Sequence, residues 1–200
     1  MPDLSGSQLP LLLGFVLGLR HALDPDHLAA MGTIVSRERS LSRAALQGGL
    51  WGLGHTASLL GVGLAVILIG APLPASWSRW FELAVAAMLI VLGVLTLVRR
   101  RADPPASPGA RRPVLVGLMH GLAGSGALTI FVLASIRSPW VALVTIAIFG
   151  VGSVGGMTLL SGLLALPFAW TGAPKLGRTA RTLAGVASIA VGVYCGYVAA

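Results

Sequence analysis

RHALDPDHLAAM, residues 20–31, gathers one arginine, two histidines and two aspartates around a proline in a segment otherwise built from Leu, Ala and Met. The residues before it, LPLLLGFVLGL at 9–19, carry no polar side chain. The surroundings say what kind of segment this is: 56% of the 200 residues are hydrophobic, 10% are charged and the mean hydropathy is +0.88. That balance lies outside the range of soluble globular chains. The pattern is helical, not that of an outer-membrane barrel, and several runs reach the roughly 20 apolar residues that cross a bilayer core of about 30 Å. The chain therefore reads as an all-α integral membrane protein. A charged group at the centre of a membrane helix costs roughly 2.5–3.5 kcal/mol even on lenient insertion scales. Residues 20–27 hold several such groups, so the segment needs a compensating structure.

Working outward, six transmembrane helices are expected, at about 9–33, 44–70, 79–98, 114–136, 139–168 and 181–199, in a single membrane domain spanning 1–200. The N-terminal MPDLSGSQ has no basic residue, and the apolar run after it ends in charges rather than in a small-residue cleavage site. A cleaved signal peptide is not expected. Arg37, Arg39 and Arg43 follow the first span; Arg99, Arg100, Arg101, Arg111 and Arg112 follow the third; Lys175, Arg178 and Arg181 follow the fifth. The alternate loops hold only Arg79 and Arg137. By the positive-inside rule the chain sits in the cytoplasmic (inner) membrane as a multi-pass protein with both termini extracytoplasmic. The net charge of +8 is then a consequence of topology and gives no support to a nucleic-acid partner. Cys195 is the lone cysteine, so a thiol–disulfide carrier, which needs two thiols, is excluded.

The chain also repeats itself. VLGLRHALDPDHLAAM at 16–31 aligns with LVGLMHGLAGSGALTI at 115–130, setting Gly18 on Gly117, Leu19 on Leu118, His21 on His120 and Leu23 on Leu122. GLGHTA at 52–57 aligns with GVGSVG at 150–155, so that His55 faces Ser153. Each half has three spans, and the second therefore enters the membrane from the opposite side. The expected architecture is two inverted three-helix repeats, 9–98 and 114–200, joined by the basic, Pro-rich cytoplasmic loop RRRADPPASPGARR at 99–112. Repeats of this kind recur in secondary transporters, with the site near the midplane.

The chemistry of the opening stretch depends on Pro25. On a straight helix His21, Asp24 and His27 share a face at i,i+3 spacing, while Asp26 points roughly 140° away from His21. Proline lacks the N–H that would bond the His21 carbonyl, and its ring clashes with that carbonyl. The first helix should kink or break there, re-aiming its polar side chains toward a cavity. Imidazoles with one or two carboxylates form an N/O ligand set suited to Ni, Co or Zn, whereas Cu(I) favours sulfur and Mg or Ca favours oxygen alone. His55, in LGHTAS on the second span, lies at a similar depth and is the natural further ligand. Asp24 either neutralises Arg20 across one turn or steadies a ligand from behind. His120, whose acidic neighbours are replaced by Gly and Ser, is open to ligation as much as to a structural hydrogen bond or a pathway role.

RHALDPDH and LGHT together resemble the nickel/cobalt transporter family, whose members carry an HxxxxDH signature, usually RHAxDADH, in one membrane helix and an LGHS-like motif in the next. Two features depart from that pattern: Pro25 stands where Ala is usual, and typical members have about eight spans with an extra helix before the signature. The shorter form, with HGLAGSGAL in its second half, is more similar to six-span urease-accessory and nickel-permease-like relatives. The resemblance implies a Ni²⁺ or Co²⁺ uptake permease with metal at His21, Asp26, His27 and His55. Arg20, Asp24, His120 and Ser153 would then act behind these ligands or along the pathway. Its partners would be the divalent ion, as transported substrate, and the lipid bilayer, with no prosthetic group; self-association and a link to nickel-enzyme maturation stay open.

An exporter of the same metals is the alternative, and a membrane metalloenzyme a weaker one. No HExxH occurs, and four histidines are few for a di-iron centre, so no catalytic residue is expected. No GxxxxGK[ST] occurs either, which excludes ATP hydrolysis by a P-loop. A divalent cation entering a cell held about 100 mV negative gains about 4.6 kcal/mol, enough for a concentration ratio in the thousands.

Overall fold

The computed structural model describes residues 8–71, 74–98, 109–135, 139–169 and 174–200. Its helices are α1 (Gln8–His21), α2 (Pro25–Val35), α3 (Leu41–Ile69), α4 (Ala75–Val98), α5 (Arg111–Ser135), α6 (Pro139–Ala169) and α7 (Pro174–Ala199), and no strand occurs among the described residues. Residues 99–108 of the basic loop, and Arg137, lie outside the described residues.

The first expected span is two half-helices. At 1.5 Å per residue, the 14 residues of α1 and the 11 of α2 measure about 21 and 16 Å, so the break falls near the middle of a core about 30 Å thick. Pro25 opens α2 at a position where its missing N–H has no helical partner to lose. Asp24, as the residue before proline, is extended, with φ −61° and ψ 142°. The carbonyls released by the break do not stay empty: those of Arg20 and His21 accept from the N–H groups of Leu23 at 2.8 Å and Asp24 at 3.1 Å.

Other boundaries have local causes. Ser40 caps α3 by accepting from the Arg43 N–H. Gly70, at φ 70°, closes the same helix with its N–H on the Val66 carbonyl. The helix α7 begins at Pro174, ahead of the expected 181, because proline suits the first helical position, and the helix continues through Gly177 to residue 181. Lys175, Arg178 and Arg181 accordingly lie within the first turns of α7.

Leu41–Ile69, Ser76–Val98, Trp140–Ala169 and Lys175–Ala199 are each long and apolar enough to cross a membrane. Their outer surfaces stay greasy, with Leu68, Trp80, Trp140 and Tyr197 well exposed. Inside, α1 packs on α6, α5 on α3, α3 on α6, and α4 on α7, while α2 leans on α7 and α4. Glycines bring backbones together at these crossings, as small residues do between membrane helices. A side chain on Gly18 would collide with the backbones of Phe149 and Ser153, and one on Gly117 with those of Trp51 and His55. Gly54 meets Val114 and Leu118, and Gly152 meets Phe15 and Leu19. Gly93 meets Gly185 and Ile189, and Gly192 meets Ala86 and Ile90.

Candidate metal site

The break in the first span sets His21 at the end of α1 and Asp26 and His27 in the first turn of α2, facing α3 and α5. His21 Nδ1 lies 2.7 Å from Asp24 Oδ2. With the Nδ1–H donated to that carboxylate, the lone pair is left on Nε2. That Nε2 sits 3.2 Å from His55 Nε2. The two nitrogens share one proton as a hydrogen bond or, with that proton gone, aim two lone pairs at the same space.

His27 is arranged in the same way. Its Nδ1 lies 3.1 Å from Asp26 Oδ1, and its buried Nε2 has no hydrogen-bond partner among the described residues. The other oxygen of Asp26 is 3.3 Å from His120 Nε2. This is ion-pair distance without hydrogen-bond alignment, and both ring nitrogens of His120 are otherwise unpartnered. The imidazoles crowd together: the His27 ring centroid lies 4.4 Å from that of His21, 4.8 Å from His120 and 5.2 Å from His55.

Two sets of donor atoms result, His21/His27/His55 and Asp26/His27/His120, each with its atoms within 4.8 Å of one another. Metal–nitrogen bonds of about 2.0–2.1 Å at octahedral or tetrahedral angles place neighbouring ligand nitrogens about 2.9–3.4 Å apart. The His21–His55 pair already has that spacing, and small ring rotations would close the rest. A buried polar atom without a partner costs about 1–3 kcal/mol. The lone nitrogens of His27, His55 and His120 therefore favour a chemical partner that none of their neighbours supplies.

The walls are aromatic. Trp51 packs its ring 5.1 Å from His27 and 5.3 Å from His120, and Phe149 lies 5.3 Å from His21. Exposure differs within the cluster: His27, His55 and His120 are buried, whereas Asp24 is 48% exposed, Asp26 30% and His21 21%. The carboxylates are thus the more exposed members of the cluster, and negative charge concentrates cations.

The structure brings together His21, Asp26, His27 and His55, and adds His120 as a direct neighbour of Asp26. Asp24 serves His21 and not Arg20, which is exposed on α1 and makes no ion pair among the described residues. Ser153 is fully buried behind Gly18, its Oγ without a hydrogen-bond partner among the described residues, and belongs to neither donor set. Sequence reasoning missed Trp51 and Phe149. Trp51 stands four residues before His55, on the same helical face, and extending the GLGHTA/GVGSVG match by one residue would have set it opposite Phe149.

These features define a class: a multi-pass helical membrane protein with a buried imidazole–carboxylate cluster at the break of a split helix. Residues 10–102 match the family described as high-affinity nickel-transport protein. The chain is 34% identical over 175 residues to the urease accessory protein UreH of Bacillus sp. (strain TB-90), covering 79% of this chain and 77% of that one. It is 30% identical over 109 residues to the high-affinity nickel transport protein of Cupriavidus necator, covering 50% of this chain and 31% of that one. No solved structure matches. The chain belongs to the high-affinity nickel-transport protein family.

Proposed function

We propose that this protein is a permease that takes up Ni²⁺ or Co²⁺ across the cytoplasmic membrane, binding the ion at His21, Asp26, His27 and His55. The observation that carries this reading is the cluster itself: His21, His27 and His55 form one donor set and Asp26 joins it through His27, at mid-span on a broken helix, in a family described by nickel transport. The ion is substrate, and no prosthetic group is needed. Asp24, the most exposed member of the cluster, draws the cation in, and imidazole lone pairs replace its water. The N/O set favours late first-row ions over Mg²⁺ and Ca²⁺. By holding the His21 Nδ1–H, Asp24 raises the basicity of the ligating nitrogen. The membrane potential supplies the drive, and the relative named for urease supports a link to nickel-enzyme maturation.

The architecture we infer is six spans in two inverted three-helix repeats, with α1 and α2 forming the first span. Reciprocal glycine contacts support it. Gly18 on Phe149 and Ser153 mirrors Gly117 on Trp51 and His55; Gly54 on Val114 and Leu118 mirrors Gly152 on Phe15 and Leu19. The α4–α7 pair does the same through Gly93 and Gly192. The basic residues following α2 and opening α7 support an orientation with both termini outside the cytoplasm.

The test is accumulation of ⁶³Ni²⁺ by cells expressing the wild type, His21→Ala or His55→Ala, with membrane levels matched. Loss of uptake in both variants is expected. Wild-type accumulation in both would overturn the site, and depletion of cellular nickel by the wild type would turn the reading into export.

A further inference from the structure

We propose that Asp26, His27 and His120 form a second coordination station, separate from the His21/His27/His55 station, and that His27 passes the ion between them. This rests on the transport reading above and assigns His120 a role as a direct ligand.

The two donor sets have one member in common. His27 is in both, while His21 and His55 belong only to the first and Asp26 and His120 only to the second. The shared imidazole is suited to hand-over: its Nδ1 lies 3.1 Å from Asp26 Oδ1, a donor of the second set, and its buried Nε2 has no hydrogen-bond partner among the described residues. The His27 ring has His21 on one side, at 4.4 Å, and His120 on the other, at 4.8 Å. Two divalent cations sharing one imidazole would repel strongly in a site walled by Trp51 and Phe149. The stations therefore fill alternately.

His120 has the features of a ligand rather than of a packing residue. It is 1% exposed, yet among the described residues its Nδ1 has no hydrogen-bond partner and its Nε2 faces only the Asp26 carboxylate, at 3.3 Å, against the rule that buried polar groups are satisfied. It stands on α5 where the internal repeat sets it opposite His21, so the second half of the chain contributes a histidine to the second station. The stations also differ in charge. The first offers three neutral imidazoles, whereas the second includes the Asp26 carboxylate, so a divalent cation moving from first to second gains a counter-charge. In the proposed orientation the first station uses the inner end of the outer half-helix α1, and the second the start of the inner half-helix α2. The gain in charge thus runs in the direction of uptake.

The experiment measures ⁶³Ni²⁺ equilibrium binding to the full-length protein in detergent, and uptake into proteoliposomes, for His55→Ala, His120→Ala, the double variant and His27→Ala. With two alternative stations the wild-type association constant is the sum of two. At least one of His55→Ala and His120→Ala must then keep half or more of it, while the double variant and His27→Ala lose it more than tenfold. Uptake falls at least tenfold in all four. Melting in detergent reports folding, and His120→Gln replaces His120→Ala if the smaller side chain lowers the melting temperature. Folded single variants that both bind more than tenfold more weakly would mean one undivided site and overturn the proposal. So would wild-type uptake by His120→Ala while His55→Ala is inactive, a result that leaves the transport reading standing. Wild-type uptake by His27→Ala and His55→Ala alike would overturn both.

Discussion

Replacing Asp24 by Asn tests what the break in the first span is for. In the structure this carboxylate lies 2.7 Å from His21 Nδ1 and leaves Arg20, four residues earlier, unpaired among the described residues. Removing a carboxylate that orients a metal-ligating imidazole typically weakens metal affinity 10- to 100-fold, or about 1.4–2.7 kcal/mol. Asp24 is 48% exposed and Asn can still accept the Nδ1–H, so the expected loss is at the lower end, about tenfold in the Ni²⁺ dissociation constant. A double-mutant cycle separates the two roles of Asp24. If it serves His21, Arg20→Met alone leaves binding unchanged, and Arg20→Met/Asp24→Asn is as weak as Asp24→Asn. If it neutralises Arg20, the double variant recovers because neither charge is left alone. The assay is equilibrium dialysis of ⁶³Ni²⁺ against purified protein, with His21→Ala marking full loss of that ligand. Recovery in the double variant would refute the assignment of Asp24 to His21.

Two further outcomes follow from packing. Gly18→Ala and Gly117→Ala each push a methyl group into a facing helix backbone, and overpacking of this kind costs about 1–3 kcal/mol; both should lower the melting temperature in detergent, and by similar amounts if the halves are built alike. Trp51→Ala removes the wall shared by His27 and His120, at a cost of about 3–5 kcal/mol, whereas Trp51→Phe keeps most of that wall. Nickel uptake should follow the order wild type, Phe, Ala, and an Ala variant with both normal melting and normal uptake would remove Trp51 from the site.

The break was legible because proline has a fixed covalent consequence: no N–H for the His21 carbonyl, and an extended residue before it. The donor set near it was legible as residue types. Its geometry was not, because a straight helix turns Asp26 away from His21. Only the extended Asp24 and the restart at Pro25 let Asp26 reach both His27 and His120. The contact with His120 depends on how α5 lies along α3, which Gly117 and Gly121 permit by their size. Glycines in a sequence announce a close approach without naming the partner. The choice between Arg20 and His21 as the companion of Asp24 was likewise open, since the turn at residues 22–24 sets the direction of the side chain and i,i+3 and i,i+4 spacing alone allow both.

A buried polar cluster can exist to lock helices together, and the structure separates that role from ion binding. In α5, Ala123, Gly124 and Ser125 stand where the repeat sets Asp24, Pro25 and Asp26, and that helix runs unbroken from Arg111 to Ser135. The glycine crossings recur on both sides of the molecule, whereas the carboxylates and the break occur on one. Helix packing therefore does not require the charges. Burying polar groups that lack full partners is destabilising, and exchanging such networks for apolar residues of similar volume is often neutral or stabilising. His55 is fully buried with Nδ1 unpartnered. His55→Leu should thus keep or raise the melting temperature of the metal-free protein, by about 2–4 °C for each kcal/mol recovered in a chain of this length, while abolishing nickel uptake. Stability held back at a working site is the usual trade against function. A drop of several degrees in His55→Leu, with Trp51 and Gly117 untouched, would instead make the histidine cluster a structural clasp, and the ion would have to be bound elsewhere.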